Sequence, residues 1–189
     1  EAIDRAGDTG RYTSLALDAG GWAHISYCQY HRYDNPYPSQ CDSLKYAFYD
    51  GNAWQVATVE QGVDVGYDTS LALDAAGQPH ISYRRGAALR YAYHDGSAWQ
   101  LQTVESTVVH DQGTSLALDT AGLPHIAYAY SGALYALKVA WFNGTHWYTT
   151  FVETSSGAFF RHPSLALDAE GQPHLSYGLY SGTTADTLR

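Results

Sequence analysis

Three residue types recur along this chain at spacings that could support chemistry. A histidine follows an aspartate by six residues four times, and a tryptophan follows a tight-turn dipeptide three times. Histidine can ligate a metal, paired carboxylates can act as acid and base on a glycoside, and tryptophan can stack on a sugar ring. The recurring residues are Asp18, Asp74, Asp119 and Asp168, then His24, His80, His125 and His174, and finally Trp54, Trp99 and Trp147.

All of these residues belong to one repeated unit. Its signature is Ser-Leu-Ala-Leu-Asp followed by His-Ile-Ser-Tyr or a close variant, and alternating apolar residues predict two short strands, A and B. Two further strands, C and D, flank an Asp-Gly or Asn-Gly dipeptide, which is the strongest short hairpin signal. The repeats are 56, 45 and 49 residues apart and begin at Ser14, Ser70, Ser115 and Ser164.

Four-stranded repeats of this length predict the blades of a β-propeller. We therefore predict an all-β propeller over residues 1–189 as one domain, with about 3.5 blades, the last one incomplete. By its place in the repeat, Glu1 matches the glutamate that ends strand D, and Leu188 matches the first residue of strand C. Because an open blade edge invites pairing, we expect a partner chain (as in a homo-oligomer) or a longer parent chain to complete the propeller.

The register of the repeated residues favours structural roles for them. A histidine on strand B, in the middle of a blade, is most simply a buried and hydrogen-bonded core residue. We therefore expect the four histidines to be buried and to share no metal. The aspartate stands where the A–B turn begins, so its carboxylate is expected to cap backbone N–H groups. The tryptophans are expected to pack between blades, with stacking on a sugar as the alternative.

The loops between strands B and C are the variable part of the repeat. The first leucine of strand C follows the last tyrosine of strand B by 17, 6, 9 and 11 positions, whereas the A–B and C–D turns keep their length. In an antiparallel meander the B–C loops lie at one end of each blade, the loop end, and these turns lie at the other, the turn end. Binding residues commonly lie on variable loops of a rigid scaffold, and tyrosine with arginine suits polar ligands. The predicted ligand-binding residues are Tyr30, Arg32, Tyr33, Tyr37, Arg84, Arg85, Tyr130 and Tyr180.

Two cysteines, Cys28 and Cys41, bracket the longest B–C loop and are the only ones in the chain. This placement predicts a disulfide that closes the loop, with two unrelated thiols as the alternative. A disulfide implies an oxidising compartment, so we expect a secreted or cell-surface protein. No Cys-x-x-Cys or paired-histidine spacing accompanies the cysteines, and the sequence indicates no metal and no cofactor.

Composition excludes several classes of partner. The net charge of −9 and the lack of a Lys/Arg run argue against nucleic acid. The longest apolar stretches are strand-sized, so the sequence predicts no membrane span. No signal peptide is recognised at Glu1, which is expected if a leader has been removed or was not included.

Two motifs carry a resemblance to known proteins. The hairpin Asp-Gly-x-x-Trp and the strand pair Ala-Leu-Asp-x-x-Gly-x-Pro-His-Ile-x-Tyr resemble the repeats of secreted bacterial β-propeller proteins, including the Asp-box (BNR) repeats of sialidases and the blades of propeller lectins. The resemblance covers the whole chain and implies the fold. It departs from the Asp-box pattern Ser-x-Asp-x-Gly-x-x-Trp, because the aspartate and glycine are adjacent here, as in Asp50-Gly51. The sialidase arginine triad and Tyr–Glu pair have no matching positions.

The sequence thus favours an extracellular, non-catalytic binding or adhesion propeller that recognises glycans or a surface protein through its loop end. No residue is assigned a catalytic role. Two alternatives stay open: a sialidase-like glycoside hydrolase or lyase with carboxylates spread over several blades, and a structural subunit of an extracellular assembly.

Overall fold

The structure, a computed structural model, describes residues 1–31, 40–106, 109–181 and 187–189. Every regular element within these residues is a β-strand, and the chain has the predicted all-β propeller fold. The strands form two compact units, one made of Glu1–Gly86 with Arg90–Gln102 and the other of Ala87–Leu89 with Thr103–Arg189. The single-domain organisation stays a prediction.

The first unit contains blade 1 and most of blade 2. Each blade is an antiparallel meander of four strands in chain order, and one parallel bridge between Asp42 and Val65 joins the two. Blade 1 consists of β1 (Asp8–Leu17), β2 (Ala23–His31), β3 (Gln40–Tyr49) and β4 (Trp54–Gln61). Blade 2 consists of β5 (Val65–Leu73), β6 (Pro79–Arg85), β7 (Ala88–His94) and β8 (Trp99–Glu105).

The second unit contains blades 3 and 4. Blade 3 is again a four-stranded meander, and blade 4 is described as three strands. Blade 3 consists of β9 (Val109–Leu118), β10 (Pro124–Ser131), β11 (Tyr135–Phe142) and β12 (Trp147–Ser155). Blade 4 consists of β13 (Phe159–Leu167), β14 (Pro173–Tyr180) and β15 (Thr187–Leu188).

The repeated aspartates fold the A–B turns. Asp74 Oδ1 accepts hydrogen bonds from Ala76 N at 2.9 Å and from Gln78 N at 2.8 Å, and Gly77 closes the turn with a φ of 77°. Positive φ is readily adopted by glycine because it has no Cβ. The same carboxylate contacts recur in the other three repeats. The aspartates are therefore engaged by their own turns, as predicted.

The repeated Ser-Leu pair of strand A holds neighbouring blades together. In the first unit Ser14 Oγ accepts a hydrogen bond from Leu71 N at 3.0 Å, and in the second Ser115 Oγ accepts one from Leu165 N at 2.9 Å. Leu71 and Leu165 are buried in apolar cores that include side chains of the preceding blade. Burying a leucine contributes roughly 1.5–3 kcal/mol, so this pair stabilises the contact between blades.

The predicted disulfide between Cys28 and Cys41 is present. The two Cα atoms are 5.8 Å apart, and both residues are fully buried. The bond joins β2 to β3 across the base of the longest B–C loop. A cross-link of this kind stabilises mainly by restricting the unfolded chain.

A β-bulge recurs in strand A, two residues before the serine of each repeat. The residues there have left-handed backbone conformations, with φ values of 52°, 53°, 92° and 48°. Register shifts in the β1–β2, β5–β6 and β13–β14 pairs mark the bulge. A left-handed conformation costs a non-glycine residue about 1–2 kcal/mol. The four residues are Tyr12, Asp68, Gly113 and His162.

We predict that Gly113→Ala destabilises the protein by about 1–2 kcal/mol, because an added Cβ disfavours a φ of 92°. The space itself is adequate, since the nearest atoms to that Cβ would lie 3.7 Å away. Urea unfolding measures the change. Gly157→Ala is the control, because its added Cβ meets nothing within 4 Å and its φ is not positive. Equal losses for the two variants would contradict the assignment of strain to the bulge.

Candidate functional site

Clusters of one carboxylate, one tyrosine and one cation link consecutive strands D, B and C. The hydroxyl of Tyr83 on β6 donates to Glu60 Oε2 at the end of β4, and Arg90 Nη2 on β7 lies 3.2 Å from Glu60 Oε1. In the second unit Tyr128 donates to Glu105, whose Oε1 lies 2.7 Å from Lys138 Nζ. The third cluster contains Glu153, Tyr177 and Arg189.

The corresponding carboxylate in blade 1 is Asp4, which corrects the assignment of Glu1 to this position. Tyr27 donates to Asp4 Oδ2 at 2.7 Å. Against the effect of burial, this hydrogen bond and, to a smaller extent, the positive charge of Lys45 lower the pKa of Asp4. The separation of carboxylate and tyrosine in sequence, 23 or 24 residues in all four clusters, could have identified Asp4. Counting back from the strand A serine carries the same signal, because the carboxylate precedes that serine by 10 residues in the first three repeats and by 11 in the fourth.

The environment keeps these tyrosines protonated. Burial raises the pKa of Tyr83 and Tyr128, and the hydrogen bond to the carboxylate raises it further. A neutral tyrosine between a carboxylate and a cation satisfies a buried acceptor without adding charge. The clusters are therefore structural links, and their carboxylates are already engaged by protein partners.

We predict that Lys138→Met destabilises the protein by about 3 kcal/mol, because it leaves Glu105 without its buried cation. The Lys138 side chain is only 6% exposed. Lys45→Met is the matched control: Lys45 holds the same repeat position but donates to Thr58 at an exposed site, so its loss should stay within about 1 kcal/mol. Chemical denaturation measures the loss of stability in both variants. Equal losses would show that the buried ion pair between Lys138 and Glu105 contributes no more to stability than the exposed Lys45.

The strand B histidines divide into two groups. His24 and His80 are buried, and their Nδ1 atoms are hydrogen-bonded to the hydroxyls of Tyr46 and Tyr91, respectively. His125 has no such tyrosine, because the third repeat carries Val139 at that position of strand C. The predicted role of a buried, hydrogen-bonded core residue therefore holds for His24 and His80, whereas His125 has no tyrosine partner of this kind.

His174 corrects the expectation that all four histidines are buried. Its side chain is 69% exposed, and its Nε2 lies 3.2 Å from Asp168 Oδ2. Among the described residues, β14 pairs with β15 at Gly178 and Leu179, and Tyr177 exchanges two backbone hydrogen bonds with Arg189. Within the described residues, no three His, Cys, Asp or Glu side chains converge in an arrangement that could hold a metal.

His80 gives the stability of the protein a pH dependence. Burial lowers the pKa of His80, and the nearby Asp74 only partly opposes this. A lowered folded-state pKa means that the contribution is present above the ordinary value of about 6.5 and is lost as pH falls through the folded value. We predict that His80→Gln reduces the loss of unfolding free energy between about pH 7 and pH 5. An unchanged slope in denaturant titrations at several pH values would contradict this.

Three of the predicted ligand-binding residues form cation–π pairs with strand A. The guanidinium of Arg11 lies 3.7 Å from the centre of the Tyr30 ring, and that of Arg84 lies 4.6 Å from the Tyr67 ring. In blade 4 the guanidinium of Arg161 lies 4.3 Å from the Tyr180 ring. The pairing thus recurs in blades 1, 2 and 4.

In the first unit these side chains belong to one group, the loop-end cluster, made of Arg11, Tyr12, Tyr30, Tyr67 and Arg84. The Tyr12 and Tyr67 rings are 5.3 Å apart. Burial and the charge of Asp68 raise the pKa of Tyr12, while Arg84 and Arg11 lower it. Arg84 Nε lies 3.4 Å from Asp68 Oδ2.

The other predicted residues lie elsewhere. Arg85 binds Glu60 at 2.5 Å and belongs to a carboxylate cluster, while the Tyr130 ring faces Lys138 and Phe151. The remaining three are outside the described residues: Arg32, Tyr33 and Tyr37. Their part in binding stays a prediction, as does that of Tyr30, Arg84 and Tyr180.

Sequence reasoning missed the strand A members of the cation–π pairs. Arg11, Tyr67 and Arg161 each stand three residues before the serine of their repeat. This shared register was a usable signal. The sequences of the B–C loops do not show that the neighbouring strand A supplies the second member of each cation–π pair.

No protein-family model matches the chain, and a search of curated proteins found no match. Solved structures do match. A fucose lectin from Kordia zhangzhouensis, in complex with methyl-fucoside, is 20% identical with a TM-score of 0.50, over 76% of this chain and 99% of the lectin. A xylan β-1,4-xylosidase from Bacillus halodurans C-125 is 16% identical with a TM-score of 0.56, over 92% of this chain and 38% of the enzyme.

A leech intramolecular trans-sialidase is 12% identical with a TM-score of 0.52, over 96% of this chain and 30% of the enzyme. The chain therefore spans less than half of the length of either enzyme. At these identities the similarity shows the propeller fold and does not assign an activity. No helix among the described residues has the length and apolarity needed to cross a membrane.

Proposed function

We propose that this protein is an extracellular, non-catalytic binding propeller that recognises glycans through the loop end of its blades. The observation that carries the proposal is the recurrence of arginine–tyrosine pairs there, with two pairs gathered in the loop-end cluster. Tyrosine offers a rigid ring for contact with the apolar face of a sugar, and arginine offers hydrogen-bond donors for hydroxyl or carboxylate groups. The Tyr12 ring is 44% exposed and the Arg11 side chain 41% exposed, so both are accessible.

The backbone of the cluster also supports a binding role. Tyr12 and Asp68 hold left-handed conformations at the strand A bulge. Strain of this kind is concentrated at functional sites, where the surrounding structure enforces it. The Tyr12 ring packs against the Tyr67 ring of the next blade. A residue with a left-handed backbone conformation therefore forms part of an aromatic surface.

The similar structures support a glycan in particular, because the three proteins are a fucose lectin in complex with methyl-fucoside, a xylosidase and a trans-sialidase. The disulfide supports an extracellular location. Binding is favoured over catalysis because the repeated carboxylates are already engaged. Glu60, Glu105 and Glu153 each bind a tyrosine and a cation.

A glycan array tests the proposal. We predict that the wild-type protein binds at least one glycan class, and that Arg11→Gln and Tyr12→Asn each weaken binding about tenfold, a loss of about 1.4 kcal/mol. Asparagine is chosen at position 12 because it tolerates a positive φ. The measurement is titration of the best array ligand by calorimetry.

Gln172→Ala is the control, because Gln172 is exposed at the turn end of blade 4. It should leave glycan affinity unchanged. If binding is lost in Gln172→Ala and kept in Arg11→Gln, the loop-end assignment is wrong. If no glycan binds while a surface protein does, and Tyr12→Asn weakens that contact, the cluster recognises protein and the glycan proposal fails.

A further inference from the structure

A cleft of about 370 Å³ opens between blades 1 and 2 at the turn end, opposite the loop-end cluster. Blade 1 contributes strands β2, β3 and β4, and blade 2 contributes the A–B turn, the C–D turn and strands β6, β7 and β8. Its volume lies near the lower limit of roughly 300–1,000 Å³ for small-ligand pockets. We name it the turn-end cleft, and its principal lining residues are His24, Tyr46, Phe48, Gln78, His94 and Trp99.

The walls of the cleft are rigid aromatic rings. The Tyr46 ring stacks on the Phe48 ring at 5.8 Å with 28° between their planes, and it meets the Trp99 ring edge-on at 5.3 Å. Tyr46 is fixed in addition by its hydroxyl, which lies 2.5 Å from His24 Nδ1. A site whose side chains are already locked loses little conformational entropy when a ligand binds.

The polar groups of the cleft lie at its rim. His94 Nδ1 lies 3.2 Å from the backbone nitrogen of Gly96 and 3.3 Å from Gln78 Oε1. The rim therefore has imidazole and amide groups that can bond hydroxyls. The described residues that line the cleft include no Asp, Glu, Lys or Arg.

We propose that the turn-end cleft binds one neutral pyranose ring of a glycan, as a second site separate from the loop end. An uncharged lining favours an uncharged ligand, since a buried charge would have no partner. The rings of Tyr46 and Trp99, which come from different blades, are inclined at 73°. They therefore do not form the parallel slot that a flat heteroaromatic ligand would fill, whereas a puckered sugar has an apolar face for one ring and hydroxyls for the rim. The choice of a sugar as ligand rests on the proposed glycan-binding function.

The test is a titration of the full chain with methyl glycosides of glucose, galactose, mannose and fucose, followed by the NMR signals of the tryptophan indole N–H groups. The Trp99 signal is assigned by its loss in Trp99→Leu. We expect one glycoside to shift the Trp99 signal saturably, and Trp99→Leu to weaken binding of that glycoside about tenfold. Trp54→Leu is the matched control, because Trp54 holds the same repeat position but packs against Tyr49 outside the cleft.

A second variant keeps the test decisive if Trp99→Leu fails to fold. Gln78→Ala removes a rim group without disturbing the apolar core and should weaken binding of the glycoside severalfold. If none of the four glycosides shifts the Trp99 signal, the proposal of a sugar site in the turn-end cleft is wrong. The loop-end proposal would then still be tested by the glycan array. Binding that is lost in Arg11→Gln but kept in Gln78→Ala also overturns the turn-end proposal, while supporting the loop end.

Discussion

A carboxylate at the end of strand D links one blade to the next, and much of the structure is arranged around it. Glu60, for example, receives the hydroxyl of Tyr83 and the guanidinium of Arg90. A buried carboxylate is stable only when its acceptors are satisfied and its charge is balanced. Strands D, B and C of consecutive blades must therefore keep a fixed relation near this point, which limits where the chain can vary.

This constraint explains why the two ends of a blade differ. At the turn end, each aspartate binds the backbone of its own turn, so the length of the turn cannot change without losing the cap. At the loop end, the B–C connection begins beyond the carboxylate cluster and can lengthen freely. The longest of these loops is closed by the Cys28–Cys41 disulfide instead. Exposed aromatic and basic side chains can accumulate there without disturbing the contact between blades.

The sequence was sufficient for features that depend on local chemistry. Strand alternation, Asp-Gly turns and two cysteines around one loop are each encoded within a short segment. It was insufficient where a partner comes from a distant segment. Asp4 was missed because the repeat motif alone does not show that a carboxylate 23 residues before Tyr27 pairs with it, although the spacing is the same in the other repeats. The exposure of His174 likewise depends on contacts that the repeat motif does not encode. For the same reason the loop residues were predicted, but the strand A partner Arg11 was not.

The repeats are similar enough to fold alike and different enough to bind differently. At the position of Tyr46 and Tyr91, the third repeat carries Val139, so His125 lacks the hydroxyl that orients His24 and His80. An aromatic cleft of the kind found between blades 1 and 2 requires that tyrosine. The residue at this one position of strand C therefore decides which pair of neighbouring blades can form an aromatic cleft for a sugar ring. The carboxylate clusters meanwhile keep the blades in register. Ligand sites in this protein are expected to belong to particular blades even though the scaffold repeats.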